Sequence, residues 1–268
     1  MPLVLATTIP GEPEIFASLQ GEGPSAGKPC AFVRLSRCNL ACVWCDTAYT
    51  WRFEGDGRPH RAGVAYERAA NQIALGEEEV AARIAAFGER RLVVTGGEPL
   101  LQAPALARML AHLGVRPREG GGLRQPQRDT GDPRLRGEAV IIEIETNGTI
   151  APPPALDALI DQYNVSPKLA HSGNPAGLAL VPERLAQWAA EPRAFFKFVI
   201  AEPADVEEVL ALAHTHAIPA ERIWLMAEGT DTATLAAREG WLAQLCLDHN
   251  LTLSKRLHIE LYGDTRGT

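Results

Sequence analysis

Three cysteines, Cys38, Cys42 and Cys45, lie within eight residues of one another in the segment CNLACVWCDT. Thiolates at such spacing bind iron–sulfur clusters or zinc. A structural zinc site usually takes four protein ligands, and neither His60 nor His112 is presented as part of a second ligand pair. A four-iron cluster held by three cysteines leaves one iron open to a small molecule. The Cys-x3-Cys-x2-Cys loop therefore predicts a 4Fe–4S cluster with an open position.

Further polar motifs stand where predicted strands end: TGGEP (95–99), ETNG (145–148) and SPK (166–168). In the first motif, paired glycines let the backbone approach a ligand closely, and the Glu98 carboxylate can accept from an ammonium group. Each motif also fits an ordinary turn at the end of a strand. The motifs mark candidate ligand-binding turns.

Two features near the N-terminus offer groups for a second ligand. SLQGEG (18–23) places Gln20 and Glu22 around a glycine, although the same residues suit a solvated turn. Arg34 faces inward on the first predicted strand, with the parity of Phe32. An inward arginine needs a partner, so either a substrate carboxylate or a structural acid is expected.

Short β-rich runs alternate with longer helical patterns, as in sheets built from βα units, whose active sites gather at the carboxyl ends of the strands. The expected fold is α/β: a partial, open (βα)-type barrel of about six parallel strands. The predicted strands are 30–36, 91–95, 139–146, 163–166, 195–200, 223–227 and 257–262. The predicted helices are about 66–88, 100–114, 154–162, 181–190, 203–216 and 230–249. Of the two remaining cysteines, Cys30 falls on a strand and Cys246 on a helix, and both are expected to be core thiols.

The 268 residues are expected to form one domain, with Gly-, Arg-, Pro- and Asp-rich surface insertions at about 52–63 and 116–137. Apolar residues make up 46% of the chain and the net charge is −7, which is ordinary for a globular enzyme and argues against a nucleic-acid partner. Neither a signal peptide nor a membrane span is predicted, so the cytoplasm is the expected compartment. Thiols there stay reduced, which favours metal ligation over disulfides.

The cysteine loop resembles that of the radical S-adenosylmethionine enzymes. The segment 15–51, IFASLQGEGPSAGKPCAFVRLSRCNLACVWCDTAYTW, looks like the N-terminal block of the 7-carboxy-7-deazaguanine synthase family. TGGEP, ETNGT, SPK and the closing LHIELYGDTRG resemble that family in the same order. The likeness covers most of the chain apart from the two insertions. Ser36-Arg37 stands where the family pattern would have a glycine beside the first cysteine, which bears on the local backbone geometry.

The resemblance implies a role for each candidate residue. S-adenosylmethionine would chelate the open iron, and Thr47 would contribute to a Mg²⁺ site. The residues implied to contact S-adenosylmethionine are Trp44, Gly96, Gly97, Glu98, Glu145, Ser166, Lys168 and Met226. Those implied to contact substrate are Leu19, Gln20, Gly21, Glu22, Arg34, Thr95, His258 and Thr268.

The implied reaction is the Mg²⁺-dependent radical contraction of 6-carboxy-5,6,7,8-tetrahydropterin to 7-carboxy-7-deazaguanine with loss of ammonia, in the synthesis of queuosine and other deazapurines. A flavodoxin- or ferredoxin-type reductant and a homodimer are the expected partners. Two alternatives stay open from the residues: an activase that makes a glycyl radical on a protein, and a metal-binding module without catalysis. An activase would have no use for SLQGEG and Arg34. Zinc bound without inorganic sulfide would indicate the metal-binding module.

Overall fold

A mixed sheet forms the centre of the computed structural model, which describes residues 2–118 and 140–268. Within those ranges its eleven strands are β1 (Leu3–Ile9), β2 (Glu12–Pro13), β3 (Ile15–Leu19), β4 (Pro29–Leu35), β5 (Gln72–Leu75), β6 (Arg91–Gly96), β7 (Ile141–Thr146), β8 (Gln162–Val165), β9 (Ala194–Ile200), β10 (Ile223–Ala227) and β11 (Thr252–Ser254). The helices of the same ranges are α1 (Arg68–Asn71), α2 (Glu77–Ala85), α3 (Ala103–His112), α4 (Pro154–Asp157), α5 (Ala176–Ala179), α6 (Pro182–Ala190), α7 (Pro203–His216), α8 (Thr232–His249) and α9 (Leu257–Tyr262).

The strand order is β11-β10-β9-β8-β7-β6-β4-β1-β2, with β3 paired to β4 and β5 paired to β1. From β4 to β11 neighbouring strands run parallel, whereas β1, β2, β3 and β5 pair antiparallel. The strands at the two ends of this order are not joined within the described residues. The expected open α/β barrel is confirmed, with the three-residue β11 as a short seventh parallel strand.

Along each parallel strand, successive side chains point to opposite faces of the sheet. Leu92, Val94, Ile142 and Ile144 belong to the main core, which packs against the helices. The alternate positions of the same two strands, among them the candidate residues Thr95 and Glu145, face the inside of the barrel. Polar residues inside a parallel barrel need partners, so this face is where chemistry is expected.

Three of the sequence predictions about elements were wrong in part. The segment 66–88 contains two helices, α1 and α2, separated by β5, which forms because it pairs antiparallel with β1. Helix α4 ends at Asp157, well before the predicted limit of 162. The segment 257–262 is helix α9 and not a strand; its apolar alternation resembles a strand, yet only Ile259 is buried.

The two predicted insertions differ in how far the structure describes them. Residues 52–63 are described: Arg52 and Phe53 are buried, and Phe53 forms a bridge with Tyr66. Of the segment 116–137, residues 119–137 lie outside the described residues. Across the described ranges, none of the helices combines the length and the apolar character that spanning a membrane requires.

The glycine pair after β6 permits a close approach between two backbones. A Cβ added to Gly96 would lie 2.1 Å from the Leu35 carbonyl oxygen, and one added to Gly97 would lie 2.1 Å from that of Arg37. Gly97 N–H donates to Leu35 O at 3.0 Å, and Glu98 N–H donates to Arg37 O at 2.9 Å. The β4–β6 pairing therefore extends past both strands to the residue that precedes Cys38.

Gly96→Ala is expected to lower the free energy of unfolding by about 2 kcal/mol or more, because φ at Gly96 is 135° and the new methyl group would meet backbone atoms. Gly240 in α8 is the matched control, since a Cβ there meets nothing within 4 Å. Gly240→Ala is expected to stabilise the chain by about 0.5–1 kcal/mol. Urea unfolding measures both changes, and equal midpoints for the two variants would contradict the role given to Gly96.

Candidate active site

The carboxyl ends of the parallel strands, together with the turn after β3 and the C-terminal residues, line a cavity of about 220 Å³. All of the candidate residues identified in the sequence line it, with the exception of Glu98. They are Leu19, Gln20, Gly21, Glu22, Arg34, Cys38, Cys42, Trp44, Cys45, Thr47, Thr95, Gly96, Gly97, Glu145, Ser166, Lys168, Met226, His258 and Thr268. The residues expected to bind the cluster, the cofactor and the substrate therefore line one and the same cavity.

The three cysteines are free thiols on one side of this cavity. Burial raises the pKa of Cys38 to about 12 and that of Cys45 to about 11, and it also raises the pKa of Cys42. Iron bound by these thiols would offset this cost, because it would replace their protons. In the described part of the chain no three Cys, His, Asp or Glu side chains converge closely enough for a single ion.

The donor set fits a 4Fe–4S cluster with three protein ligands. Its members are soft thiols, they share one loop, and each has a side-chain N–H group beside its sulfur. Such N–H groups are a regular feature of the surroundings of iron–sulfur clusters. The cavity extends beyond the thiols toward Ser166, Lys168 and Met226, which leaves room for a ligand at a fourth iron.

Arg37, directly before the first cysteine, has a φ of 80°, a conformation that favours glycine. Its side chain is exposed, while its N–H donates to Thr50 O at 2.7 Å. The backbone therefore keeps a glycine-like conformation at a position where this chain has arginine. The hydrogen bonds of its N–H and carbonyl groups stabilise this conformation.

Glu98, whose carboxylate the sequence analysis expects to accept from the ammonium group of the cofactor, lies apart from the other candidate residues. The side chain is fully buried and does not line the cavity. It accepts from Leu100 N at 3.0 Å, from Thr146 Oγ1 at 2.9 Å and from Asn147 N at 2.8 Å. Burial raises the pKa of Glu98, and these hydrogen bonds partly oppose that rise. In this structure Glu98 joins the turn after β6 to the end of β7.

A network of charged side chains lines the same cavity as the thiols. The Glu22 carboxylate accepts from Lys197 Nζ at one oxygen and from Arg256 Nε at the other, the latter at 3.1 Å. Arg256 also donates to Asp46, which follows Cys45 directly. Burial by itself would raise the pKa of Glu22, but Lys197 and Arg256 outweigh burial and hold it well below its usual range. Glu22 is therefore ionised at neutral pH.

The turn SLQGEG is packed against helix α9. A Cβ on Gly21 would lie 2.1 Å from Nδ1 of His258, so only glycine leaves room for this imidazole. The Gly21 carbonyl accepts from Leu257 N at 2.9 Å, which fixes the start of the helix. Burial lowers the pKa of His258, with Glu22 opposing the shift. His258 is thus placed as a largely neutral group beside Glu22.

Gln20, Thr95 and Glu145 form a smaller polar group between the turn and the strand ends. Thr95 Oγ1 donates to Glu145 at 2.8 Å, and Gln20 Nε2 lies 3.4 Å from the other oxygen of the same carboxylate. Gln20 Oε1 accepts from Glu22 N at 3.2 Å. These contacts orient an amide, a hydroxyl and a carboxylate toward one region of the cavity.

Arg34 is paired with Glu14, so of the two partners that the sequence left open, the structure contains the structural acid. Its Nε donates to Glu14 Oε1 at 2.7 Å, and Tyr49 OH donates to Glu14 Oε2 at 2.9 Å. The guanidinium of Arg266 lies 3.6 Å from the Tyr49 ring centroid, so the C-terminal segment that ends at Thr268 is attached to the same group. Arg34 remains a cavity residue, but a substrate carboxylate would share it with Glu14.

Lys168 differs from Arg34, Lys197 and Arg256, the cations of the cavity that are paired with carboxylates. Among the described residues it has no carboxylate partner; its Nζ donates to Ser166 Oγ at 2.8 Å and lies 5.6 Å from the Trp44 ring. Trp44 stacks on His171 with ring centroids 5.4 Å apart. Met226 lines the same side of the cavity. This region combines an available positive charge with apolar and aromatic surface.

Several residues of the site were not predicted from the sequence, chiefly Glu14, Lys197 and Arg256. Lys197 had a usable signal, because a lysine in the centre of the apolar strand FFKFVI faces inward and needs a buried partner. Glu14 and Arg256 lie beside strands rather than within them. Their partners are remote in sequence, and no local pattern indicates the pairing.

The comparisons with known proteins agree along nearly the whole chain. A family described as a 4Fe-4S single cluster domain matches residues 19–118. A 7-carboxy-7-deazaguanine synthase from Pyrobaculum aerophilum is 36% identical over 258 residues, which cover 95% of each chain. One from Hyperthermus butylicus is 34% identical over 250 residues, which cover 92% of this chain and 90% of the relative. The crystal structure of QueE from Escherichia coli matches the fold with a TM-score of 0.60 at 24% identity, over 95% of each chain.

Lys197→Met is expected to lower the free energy of unfolding by about 2 kcal/mol, because it removes one of the two cations that compensate the largely buried Glu22 carboxylate. The double variant Glu22→Gln/Lys197→Met is expected to lose less than the sum of the two single changes, since no uncompensated charge remains at that oxygen. Chemical unfolding of the three variants gives the coupling energy. If the loss of the double variant equals the sum of the two single losses, the two charges do not stabilise each other.

Arg37→Gly is expected to raise the free energy of unfolding by about 0.5–1 kcal/mol, because relief of the positive φ exceeds the entropy that glycine adds to the unfolded chain. Lys28, which is exposed and has no positive φ, is the control, and Lys28→Gly is expected to destabilise. Thermal unfolding at matched pH compares them. A loss of stability in Arg37→Gly as large as in Lys28→Gly would contradict the strain at Arg37.

Proposed function

Because this chain belongs to the family of 7-carboxy-7-deazaguanine synthases, which are radical S-adenosylmethionine enzymes, we propose that it converts 6-carboxy-5,6,7,8-tetrahydropterin to 7-carboxy-7-deazaguanine with loss of ammonia. One observation carries the proposal. The three thiols of Cys38, Cys42 and Cys45 and the polar groups of Gln20 and Glu22 line the same cavity. A small molecule bound between them would be in reach of both sets of groups.

The cofactors are a 4Fe–4S cluster and S-adenosylmethionine. When bound, they supply a carbon radical that takes a hydrogen atom from the substrate. The thiols of Cys38, Cys42 and Cys45 would each hold one iron. Lys168, which has no carboxylate partner in the described residues, would bind the carboxylate of S-adenosylmethionine, with Ser166 beside it. Trp44 and Met226 would cover the apolar parts of the cofactor.

The pterin would bind against the turn after β3. Glu22 is ionised and held from behind by Lys197 and Arg256, so it would accept hydrogen bonds from the amino and ring N–H groups of the pterin. Gln20, Thr95 and His258 would bind its other polar edges, with Leu19 and Gly21 forming the floor of the turn. The substrate carboxylate would approach Arg34, and Thr268 would close this side of the cavity.

Magnesium is part of the proposal as a second metal near the thiols. The Thr47 hydroxyl lies 3.7 Å from Cys45 Sγ and lines the cavity, whereas the neighbouring Asp46 is already paired with Arg256. Mg²⁺ commonly keeps several waters and takes ligands from its substrate. Thr47 would therefore supply one ligand, and water and substrate oxygens would supply the others.

The remaining expectations concern the surroundings of the enzyme. The chain would act as a single radical S-adenosylmethionine domain with surface insertions at about 52–63 and 116–137, and as a homodimer. A flavodoxin- or ferredoxin-type protein would deliver the single electron that this chemistry needs. The cytoplasm, where thiols remain reduced, suits free cysteines, and the product would enter queuosine or other deazapurine synthesis.

The test is turnover by the anaerobically reconstituted, reduced enzyme with the carboxy-tetrahydropterin, S-adenosylmethionine and Mg²⁺. Mass spectrometry is expected to find 7-carboxy-7-deazaguanine. Glu22→Gln is expected to lower kcat/KM by about 100-fold, because one charge-assisted hydrogen bond of about 2–3 kcal/mol is lost. Glu12→Gln is the control, since Glu12 is exposed and outside the cavity, and it is expected to retain activity.

Three outcomes would overturn the proposal. Deoxyadenosine without the deazaguanine product would indicate another radical reaction. A glycyl radical formed on an added partner protein would indicate an activase. Zinc at one equivalent per chain, without inorganic sulfide, would indicate a metal-binding module.

A further inference from the structure

Side-chain N–H groups from three separate parts of the chain lie beside the three cysteine sulfurs. Trp51 Nε1 donates to Cys45 Sγ at 3.4 Å. Asn174 Nδ2 donates to Cys42 Sγ at 3.3 Å. Asn147 Nδ2 is at 4.0 Å from Cys38 Sγ and also donates to Asn39 at 2.9 Å, so its sulfur contact is the weakest of the three. Two short N–H···S contacts therefore stand out.

The orientation of Asn174 is fixed by its own neighbours. Its Oδ1 accepts from the backbone N–H of Ala41 at 2.8 Å. The carbonyl oxygen of the amide is thereby assigned, so the opposite end of the amide is the NH₂ group that faces Cys42. A second N–H of the same group points to Ser172 Oγ at 3.2 Å. The Asn174 amide thus connects the cysteine loop to the segment after β8.

Trp51 is held by residues of the segment 52–63. Its indole is 5% exposed, and the Arg58 guanidinium lies 4.8 Å from the ring centroid. His60 meets the ring edge-on at 6.3 Å, and its Nε2 lies 2.8 Å from the Cys45 carbonyl oxygen. Since a carbonyl oxygen only accepts, this Nε2 carries the hydrogen. The segment therefore contacts both members of the Trp51–Cys45 pair.

An N–H group that donates to a cluster thiolate stabilises the added negative charge of the reduced cluster, and so raises its reduction potential. We propose that Trp51 and Asn174 raise the reduction potential of the cluster in this way, and that the segment 52–63 serves to hold the Trp51 indole against Cys45. This inference rests on the cluster of the proposed function, but not on the identity of the substrate.

A redox titration of the reconstituted protein, followed by the electron paramagnetic resonance of the reduced cluster, tests the inference. Trp51→Phe keeps an aromatic side chain and removes the indole N–H group, and its midpoint potential is expected to be more negative than that of the wild type. Trp188→Phe is the matched control, because Trp188 is also buried but donates to the Gly148 carbonyl at 2.9 Å, and its potential is expected to be unchanged.

Two further measurements make the result specific. Electron–nuclear double resonance in D₂O is expected to show one exchangeable-hydrogen coupling fewer in Trp51→Phe than in the wild type. Asn174→Asp keeps the acceptor for Ala41, removes the N–H group and adds negative charge beside Cys42, so its potential is expected to fall further. If Trp51→Phe does not load a full cluster, Arg58→Ala, which retains the indole, is expected to shift the potential in the same direction by less.

A wild-type potential in Trp51→Phe at full iron and sulfide content would overturn the inference, as would an equal shift in Trp188→Phe. An unchanged potential in Arg58→Ala would overturn the role of the segment 52–63. The potentials and the hydrogen couplings can be measured on the protein with its cluster alone, without substrate or turnover. A protein that shows the expected shifts yet makes no deazaguanine would refute the proposed substrate and leave the inference intact.

Discussion

Two backbone hydrogen bonds just beyond the ends of β4 and β6 fix the start of the cysteine loop against the turn after β6, and the rest of the site is built on this contact. They are Gly97 N–H to Leu35 O and Glu98 N–H to Arg37 O, and they extend the parallel pairing to the residue before Cys38. Both require glycine at 96 and 97, since any side chain there would overlap the backbone of 35–37. The buried Glu98 carboxylate then joins this turn to the end of β7. The start of the cysteine loop is thereby fixed to two neighbouring strands.

Charge balance is the second constraint on the cavity. Glu22 lies between Lys197 and Arg256, Asp46 shares Arg256, and Glu14 pairs with Arg34. Such pairs offset part of the cost of burying each charge, and they fix the orientation of each charged group in the cavity. A substrate carboxylate that binds Arg34 must then share it with Glu14. Neutral N–H groups can bind to Glu22 without displacing either cation. Under the proposed function, this difference favours a role for Glu22 in binding N–H groups of the pterin rather than a charged group.

Most of the parallel sheet could be predicted from the sequence, because short apolar runs and their terminal motifs repeat along the chain. The same reasoning placed the cysteine loop and three strand-end motifs at one edge, where the structure brings them together. It failed for LHIELY, whose alternate apolar residues fit a strand or a short helix until its contact with Gly21 is known. It failed for β5, which is extended because β1 pairs with it. It also missed Lys197 and Arg256, whose common partner Glu22 lies 175 and 234 residues away in sequence.

The cluster ligands can be found from a local sequence pattern, whereas the groups that surround them cannot. The three cysteines are local, within eight residues, and a spacing pattern is enough to find them. The N–H groups beside their sulfurs come from the residue before the segment 52–63, from the end of β7 and from the segment after β8. Only a complete fold brings those three parts to one place. A cysteine pattern can therefore be shared by enzymes of different reactivity, because the potential and the substrate of each depend on residues that the pattern does not contain.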